Sequence, residues 1–214
     1  FLIFLKNNNI NSIFLILSKE YKNPKSELKS INAFTFLVSV VLSAQSTDVA
    51  VNKATKDLFK IVKSPSDMIN LGKAKLKKYI KTIGLYNNKA NNIINLSKTI
   101  INKYNGKIPK EFDLLIKLPG VGKKTASVYQ NVILQKPKIA VDTHVFRVSN
   151  RLGIVKEKNT DKTQERLEKI IPNKWKMKAH HFLILHGRKV CQSQKPKCEI
   201  CKISSFCDHL SKSF

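Results

Sequence analysis

The chain has 214 residues, enough for one substantial core or two modest ones, and its 40 basic residues against 14 acidic ones give a formal net charge of +26. Seven glycines and seven prolines, with apolar residues recurring at helical spacing, exclude a chain of hairpin-linked strands and predict an all-α protein. Charge of this sign points to a polyanion, because lysines that neutralise phosphates release condensed counterions, and no basic amphipathic segment recommends a membrane surface over nucleic acid.

The N-terminal FLIFLKNNNINSIFLILSKEY holds two apolar runs split by Lys6 and an Asn cluster. Neither approaches the ~20 residues of a membrane span and no small-residue cleavage site follows, so a soluble cytoplasmic protein is expected. Ile10, Ile13, Phe14 and Leu17 instead make a helix face. Phe34, Leu37, Val38, Val41 and Leu42 mark an almost wholly apolar, buried central helix that ends at the polar junction SAQSTD. Val51, Ala54, Leu58 and Val62 share the face of the next helix, capped by Thr47 or Asp48 and closed by Pro65. A short helix over Met68 to Leu71 and a segment from Lys73 to Ile80 lead to the turn IGLYNNKA, broken at Gly84. Ala90, Ile93, Leu96, Ile100 and Tyr104 trace a long helix stopped by Asn105-Gly106. A helical hairpin is expected over about 111–134, with further helices over Thr143 to Leu152, Thr160 to Ile171 and Trp175 to Val190.

Within that hairpin, LPGVGKKTA opens a helix on a Gly-x-Gly turn. Gly120, Val121 and Gly122 allow close backbone approach to a phosphate, and the helix N-terminus behind them favours an anion. Lys123 and Lys124 occupy its first turn. The helix dipole and Lys123 both disfavour an ammonium at Lys124, which favours a neutral, nucleophilic amine. Asp142 follows eighteen residues later. A helix from Gly122 to about Leu134 rises ~18 Å. The return from Gln135 to Val141 can span ~23 Å, so Ile139, Ala140 and Val141 can pack back along it and bring Asp142 near the level of Lys124. Against this stand plainer readings: Lys124 is one of thirty-six lysines, and Asp142 before Thr143 is a natural helix N-cap, a job it is expected to combine with chemistry. The segment GKKT also imitates the end of a nucleotide-binding P-loop, but Lys117 stands where that loop requires glycine.

All four cysteines, Cys191, Cys198, Cys201 and Cys207, fall in a C-x6-C-x2-C-x5-C pattern. Two disulfides would suit an oxidising compartment, whereas a reduced intracellular chain implies a metal centre. Spacing alone leaves tetrahedral zinc and an iron-sulfur cluster nearly equal, with a slight lean to zinc. Lys195 and Lys197 in this loop are either solvated charges or phosphate contacts. Part of the lysine excess is discounted, because the chain is crowded with Lys, Asn and Ile, as an AT-rich coding sequence would be, but forty basic residues against fourteen acidic ones still point to nucleic acid. His144, His180, His181 and His186 are read as helix surface or satisfied core residues without a ligand role, His144 being the one expected to border an active-site cleft.

Taken together, LSAQSTD, IGLYNNKA, LPGVGKKTA, AVDTHVFRV, HHFLILHGR and the cysteine pattern make the chain resemble the endonuclease III family of bacterial base-excision-repair glycosylases. The resemblance covers nearly everything after residue 30 and is weak before it. It implies a [4Fe-4S] cluster on the four cysteines in place of zinc. It also implies a six-helix domain over 26–137 and a cluster domain formed by 1–25 with 138–214, the cluster loop being 191–207, with DNA in a cleft between them. The partner implied is duplex DNA with damaged bases or abasic sites, bound by a monomer. The resemblance makes Lys124 the nucleophile at C1′ of a flipped nucleotide, Asp142 its assisting carboxylate, and Gln45 and Leu85 the residues that fill the vacated space and wedge the opposite strand. Two other readings are a mispair adenine glycosylase and a non-catalytic hairpin protein. In the former a Ser commonly replaces Lys124 and a further C-terminal domain follows the cluster, while the intact Lys124 and Asp142 speak against the latter.

Overall fold

The computed structural model describes residues 2–22 and 24–209, with side chains from Asn9 onward; the first apolar run, Phe1 to Leu5, therefore has no described side chains. Among the described residues every regular element is helical: ten α-helices and two single 3₁₀ turns. No helix is long and apolar enough to cross a membrane among these residues. The chain divides into two compact units, one of Ser26–Gln135 and one of Phe1–Lys25 with Lys136–Phe214.

The first unit is built around α2 (Ala33–Leu42), in which every residue from Phe34 to Leu42 is buried. Asn32 starts it with a capping box, its side chain accepting from the Thr35 N–H while Thr35 Oγ1 accepts from the Asn32 N–H. α3 (Asp48–Ile61), α5 (Tyr86–Tyr104) and α7 (Lys123–Val132) pack on it. Their inward faces follow the 3.6-residue period: Val51, Ala54 and Leu58 from α3, and Ala90, Ile93, Leu96 and Ile100 from α5. Burial of each large aliphatic side chain here stabilises by roughly 1.5–3 kcal/mol. Thr47 is the cap of α3, its hydroxyl accepting from the Ala50 N–H.

Pro65 does not close α3, which ends at the extended Val62; it opens α4 (Pro65–Ile80) behind a Ser64–Asp67 capping box. Proline is suited to that place, since its missing N–H would have no helical partner in the first turn. Gly72, at φ +77° and ψ 158°, then breaks α4 into the two helical pieces expected on either side of it. α5 stops at Asn105 (φ +50°) and Gly106 (φ +77°), and α6 (Phe112–Leu115) leads into the hairpin turn.

In the second unit Ile10, Ile13, Phe14 and Leu17 of α1 (Leu2–Glu20) are buried against α10 (Asn173–Lys189), with Phe14 stacked on Trp175 at 6.0 Å between ring centroids. α8 (Thr143–Arg151) and α9 (Thr160–Ile170) complete the helices. Ile139 and Val141 belong to this second core and not to a layer along α7 as expected. The inward face of α7, including Ala126 and Tyr129, is already consumed by the first core.

The two hairpin glycines differ in what they require. Gly120 has φ +78°, and a Cβ there would lie 2.9 Å from Asn92 Cβ and 3.2 Å from Val41 Cγ1. Gly122 has an ordinary φ of −88° and open space around it. Gly120→Ala should therefore destabilise by about 1–3 kcal/mol, while Gly122→Ala leaves thermal unfolding close to wild type. Equal melting temperatures for the two variants would contradict this.

Candidate active site and cysteine centre

The hairpin is held from beneath by Leu115, Leu118 and Val121, all buried, so that the turn itself stays at the surface. The Val121 N–H closes the turn on the Leu118 carbonyl at 3.0 Å. Gly122 is the N-cap residue of α7 and offers no side chain to cap it; Lys123 and Lys124 follow in the first turn, both exposed. Val41 and Asn92 pack under Gly120, which ties the turn to α2 and α5.

Gln45 and Leu85, expected to enter DNA, sit on two neighbouring turns of this same unit. Both have left-handed backbones, φ +54° and φ +58°, and both are exposed. That conformation is uncommon for a residue with a side chain and costs free energy unless its surroundings enforce it. A Cβ on Gly84 would lie 3.8 Å from the Gln45 carbonyl, so the two turns lie side by side. Beneath them is Lys89, 5 % exposed, whose Nζ donates to the Leu42 carbonyl and to Ser46 Oγ, each at 2.9 Å. Burial lowers the pKa of this lysine.

Asp142 is the N-cap of α8, its Oδ1 accepting from the Val145 N–H at 2.8 Å. The same helix presents His144, Arg147 and Arg151. Arg147 donates to the Cys191 carbonyl from Nε (3.1 Å) and Nη2 (3.0 Å), and to the Gly187 carbonyl at 2.9 Å. Arg151 donates to the carbonyls of Gln192 (2.7 Å) and Ser193 (3.1 Å), with Nη1 3.7 Å from Cys191 Sγ. Two of the four arginines thus clasp the cysteine loop onto α8. A planar guanidinium holds its donors in a fixed fork that spans neighbouring carbonyls, a geometry a point-like ammonium does not impose. Sequence reading passed over both. The signal was there: rare arginines in a lysine-dominated chain, four residues apart on one helix.

The four cysteines are free thiols, partly buried, and line one cavity with Arg151, His186 and Lys197. Burial pushes the Cys198 and Cys201 thiols up, and Cys191 and Cys207 add to the rise at both. Four sulfur donors gathered around one cavity are a set whose chemistry fits a metal centre. No three His, Cys, Asp or Glu side chains among the described residues converge closely enough to hold a single ion. His186 is a satisfied core residue, the second of the two readings expected of it. Buried at the edge of the cavity, it places Nε2 3.6 Å from Cys201 Sγ and Nδ1 3.2 Å from Tyr21 Oη. Burial holds its pKa down to about 4. His144 also has a lowered pKa through burial, and its Nδ1 lies 3.2 Å from Arg147 Nη2. Lys195, at φ +49°, and Lys197 are exposed on the loop.

Residues 38–173 match the HhH-GPD superfamily of base excision DNA repair proteins. The endonuclease III of Rickettsia conorii is 52% identical over 200 residues, covering 94% of this chain and 95% of its own. That of Escherichia coli K12 is 45% identical over 196 residues, covering 92% and 93%. Among solved structures, a trapped endonuclease III–DNA covalent intermediate superposes with a TM-score of 0.91 at 42% identity, covering 97% of this chain and 98% of that one. Sequence and fold agree over almost the whole length, and the chain belongs to the endonuclease III family of the HhH-GPD superfamily.

Proposed function

We propose that the protein is a base-excision DNA glycosylase with abasic-site lyase activity, directed at oxidised pyrimidines in duplex DNA. The observation that carries this reading is an exposed lysine, Lys124, in the first turn of the hairpin helix of a chain in the endonuclease III family. The related protein trapped covalently on DNA supports a nucleophile of this kind.

Lys124 Nζ, as the free amine, attacks C1′ of the extruded nucleotide as the C1′–N bond to the base breaks and the base leaves with the electron pair. The Asp142 carboxylate offsets the positive charge that develops on the sugar and accepts the proton that the amine loses. Ring opening gives a Schiff base between C1′ and Nζ. That cation acidifies a C2′ proton, whose removal expels the 3′ phosphate by β-elimination and cuts the strand. The chemistry needs the nucleotide outside the stack. Gln45 and Leu85 are assigned to the space it leaves, where a side chain offsets part of the lost stacking. Gly120, Val121, Gly122 and Lys123 are assigned to the phosphate backbone, with Lys195 and Lys197 as further phosphate contacts.

Cys191, Cys198, Cys201 and Cys207 would hold a [4Fe-4S] cluster. Four sulfurs that line one cavity are a donor set that fits such a cluster. When bound, the cluster supplies four iron–thiolate bonds that tie the loop together. Arg147 and Arg151 orient that loop through its carbonyls.

Three measurements test these assignments. Borohydride should trap the wild type on abasic-site duplex, and Lys124→Ala should lose the adduct; trapping at wild-type efficiency would displace Lys124 as nucleophile. Asp142→Asn keeps an oxygen for the Val145 N–H, so thermal stability should hold while single-turnover base release falls by roughly 10²–10⁴. Undiminished release by the folded variant would remove Asp142 from the chemistry. Protein purified without oxygen should be brown with broad visible absorbance, and Cys201→Ser should lose that colour. A colourless wild type with one equivalent of zinc would overturn the cluster.

A further inference from the structure

Lys89 stands apart from the solvated lysines that cover this chain. It is buried on α5, and both side-chain acceptors it uses are neutral: the last carbonyl of α2, at Leu42, and the hydroxyl of Ser46. A buried ammonium is costly, so a group that stays there is held in place by what it bonds. One part of its role is plain. α2 is buried throughout, its C-terminal carbonyls need partners inside the protein, and a cation at that end also meets the negative pole of the helix.

The second hydrogen bond is not needed for that. Ser46 directly follows Gln45, whose backbone is left-handed at φ +54°. The backbone N–H of Lys89 meanwhile donates to the carbonyl of Leu85 at 3.0 Å, and Leu85 is the other left-handed residue, at φ +58°. One residue therefore grips the Gln45 turn with its side chain and the Leu85 turn with its main chain. The two turns also lie side by side, since a Cβ built on Gly84 would come within van der Waals distance of the Gln45 carbonyl. Uncommon backbone conformations persist only where their surroundings over-determine them, and Lys89 is the group common to both.

We infer that Lys89 is a positioning residue that locks the Gln45 and Leu85 turns into one rigid element, so that the two side chains enter a damaged duplex together at a fixed separation. This rests on the assignment of Gln45 and Leu85 to the interior of the duplex.

The test uses the full-length protein and a duplex carrying a stable abasic analogue opposite 2-aminopurine, whose fluorescence rises when that base loses its stacking. Ser46→Ala removes the loop arm and leaves the bond to Leu42; Lys89→Met removes both. Each variant is checked for fold by circular dichroism and for intact chemistry by borohydride trapping on a single-stranded abasic oligonucleotide, where there is no opposite strand to wedge. The expected result is trapping unchanged on the single strand, a lost fluorescence rise on the duplex, and base release from duplex slowed roughly 10–100-fold, the scale of a small misplacement. Gln45→Ala and Leu85→Ala separate the two ways of failing. If those two lose the fluorescence rise while folded Ser46→Ala and Lys89→Met keep wild-type fluorescence and rate, the role given to Lys89 is overturned and the loop assignment stands. If Gln45→Ala and Leu85→Ala themselves keep the rise, the loop assignment falls and the positioning role falls with it. Should Lys89→Met not fold, Ser46→Ala alone decides.

Discussion

A helix buried on every side must find partners for its polar ends inside the protein, and α2 imposes that constraint on the whole first unit. From Phe34 to Leu42 every residue is buried, so packing fixes the helix along its length while its two ends are settled by hydrogen bonds. Asn32 and Thr35 close the N-terminal end locally. The C-terminal end is closed from a distance, by Lys89 reaching across from α5 to the Leu42 carbonyl. Around that end gather the features proposed to meet DNA: the Gln45 turn continues from α2, the Leu85 turn precedes α5, and the hairpin turn rests on Val41 and Asn92. A rigid apolar rod thus gives three polar turns a common reference.

The second unit solves a different problem. Its loop from Cys191 to Cys207 contains only short 3₁₀ turns and few buried side chains, so it has little packing energy of its own. Order is imposed from outside by the guanidinium groups of Arg147 and Arg151 on loop carbonyls and by the Cys201–His186–Tyr21 sequence of polar atoms on the other side. Hydrogen bonds from charged donors are the stronger kind, which suits a loop that cannot bury apolar surface.

What could be read from the sequence follows from which forces leave a periodic trace. The apolar spacing in α3 and α5, the Asn105-Gly106 stop and the Asp142 cap are local signals, and the helices lie where those signals placed them. Pro65 is ambiguous in the sequence because proline ends one helix and begins the next with equal propriety; only the Ser64–Asp67 box decides between them. Ile139 and Val141 are apolar wherever they pack, and sequence could not say which core would claim them. Gly120 and Gly122 look alike in a Gly-x-Gly pair, yet only one has the positive φ that demands glycine. Lys124, Asp142 and the cysteines stood out by motif. Lys89, Arg147, Arg151 and His186 did not, since each acts through partners distant in sequence, and a polar residue on a helix reads as solvated until its burial is known.

α8 has a consequence for how the second unit is held together. Nine residues are too few for a helix to persist on propensity, so α8 endures through its tertiary bonds. Its first turn is closed by Asp142, and its side chains carry the clasp on the cysteine loop. Loop and carboxylate are thereby carried by one short helix, with Asp142 closing its first turn and Arg151 as its last residue.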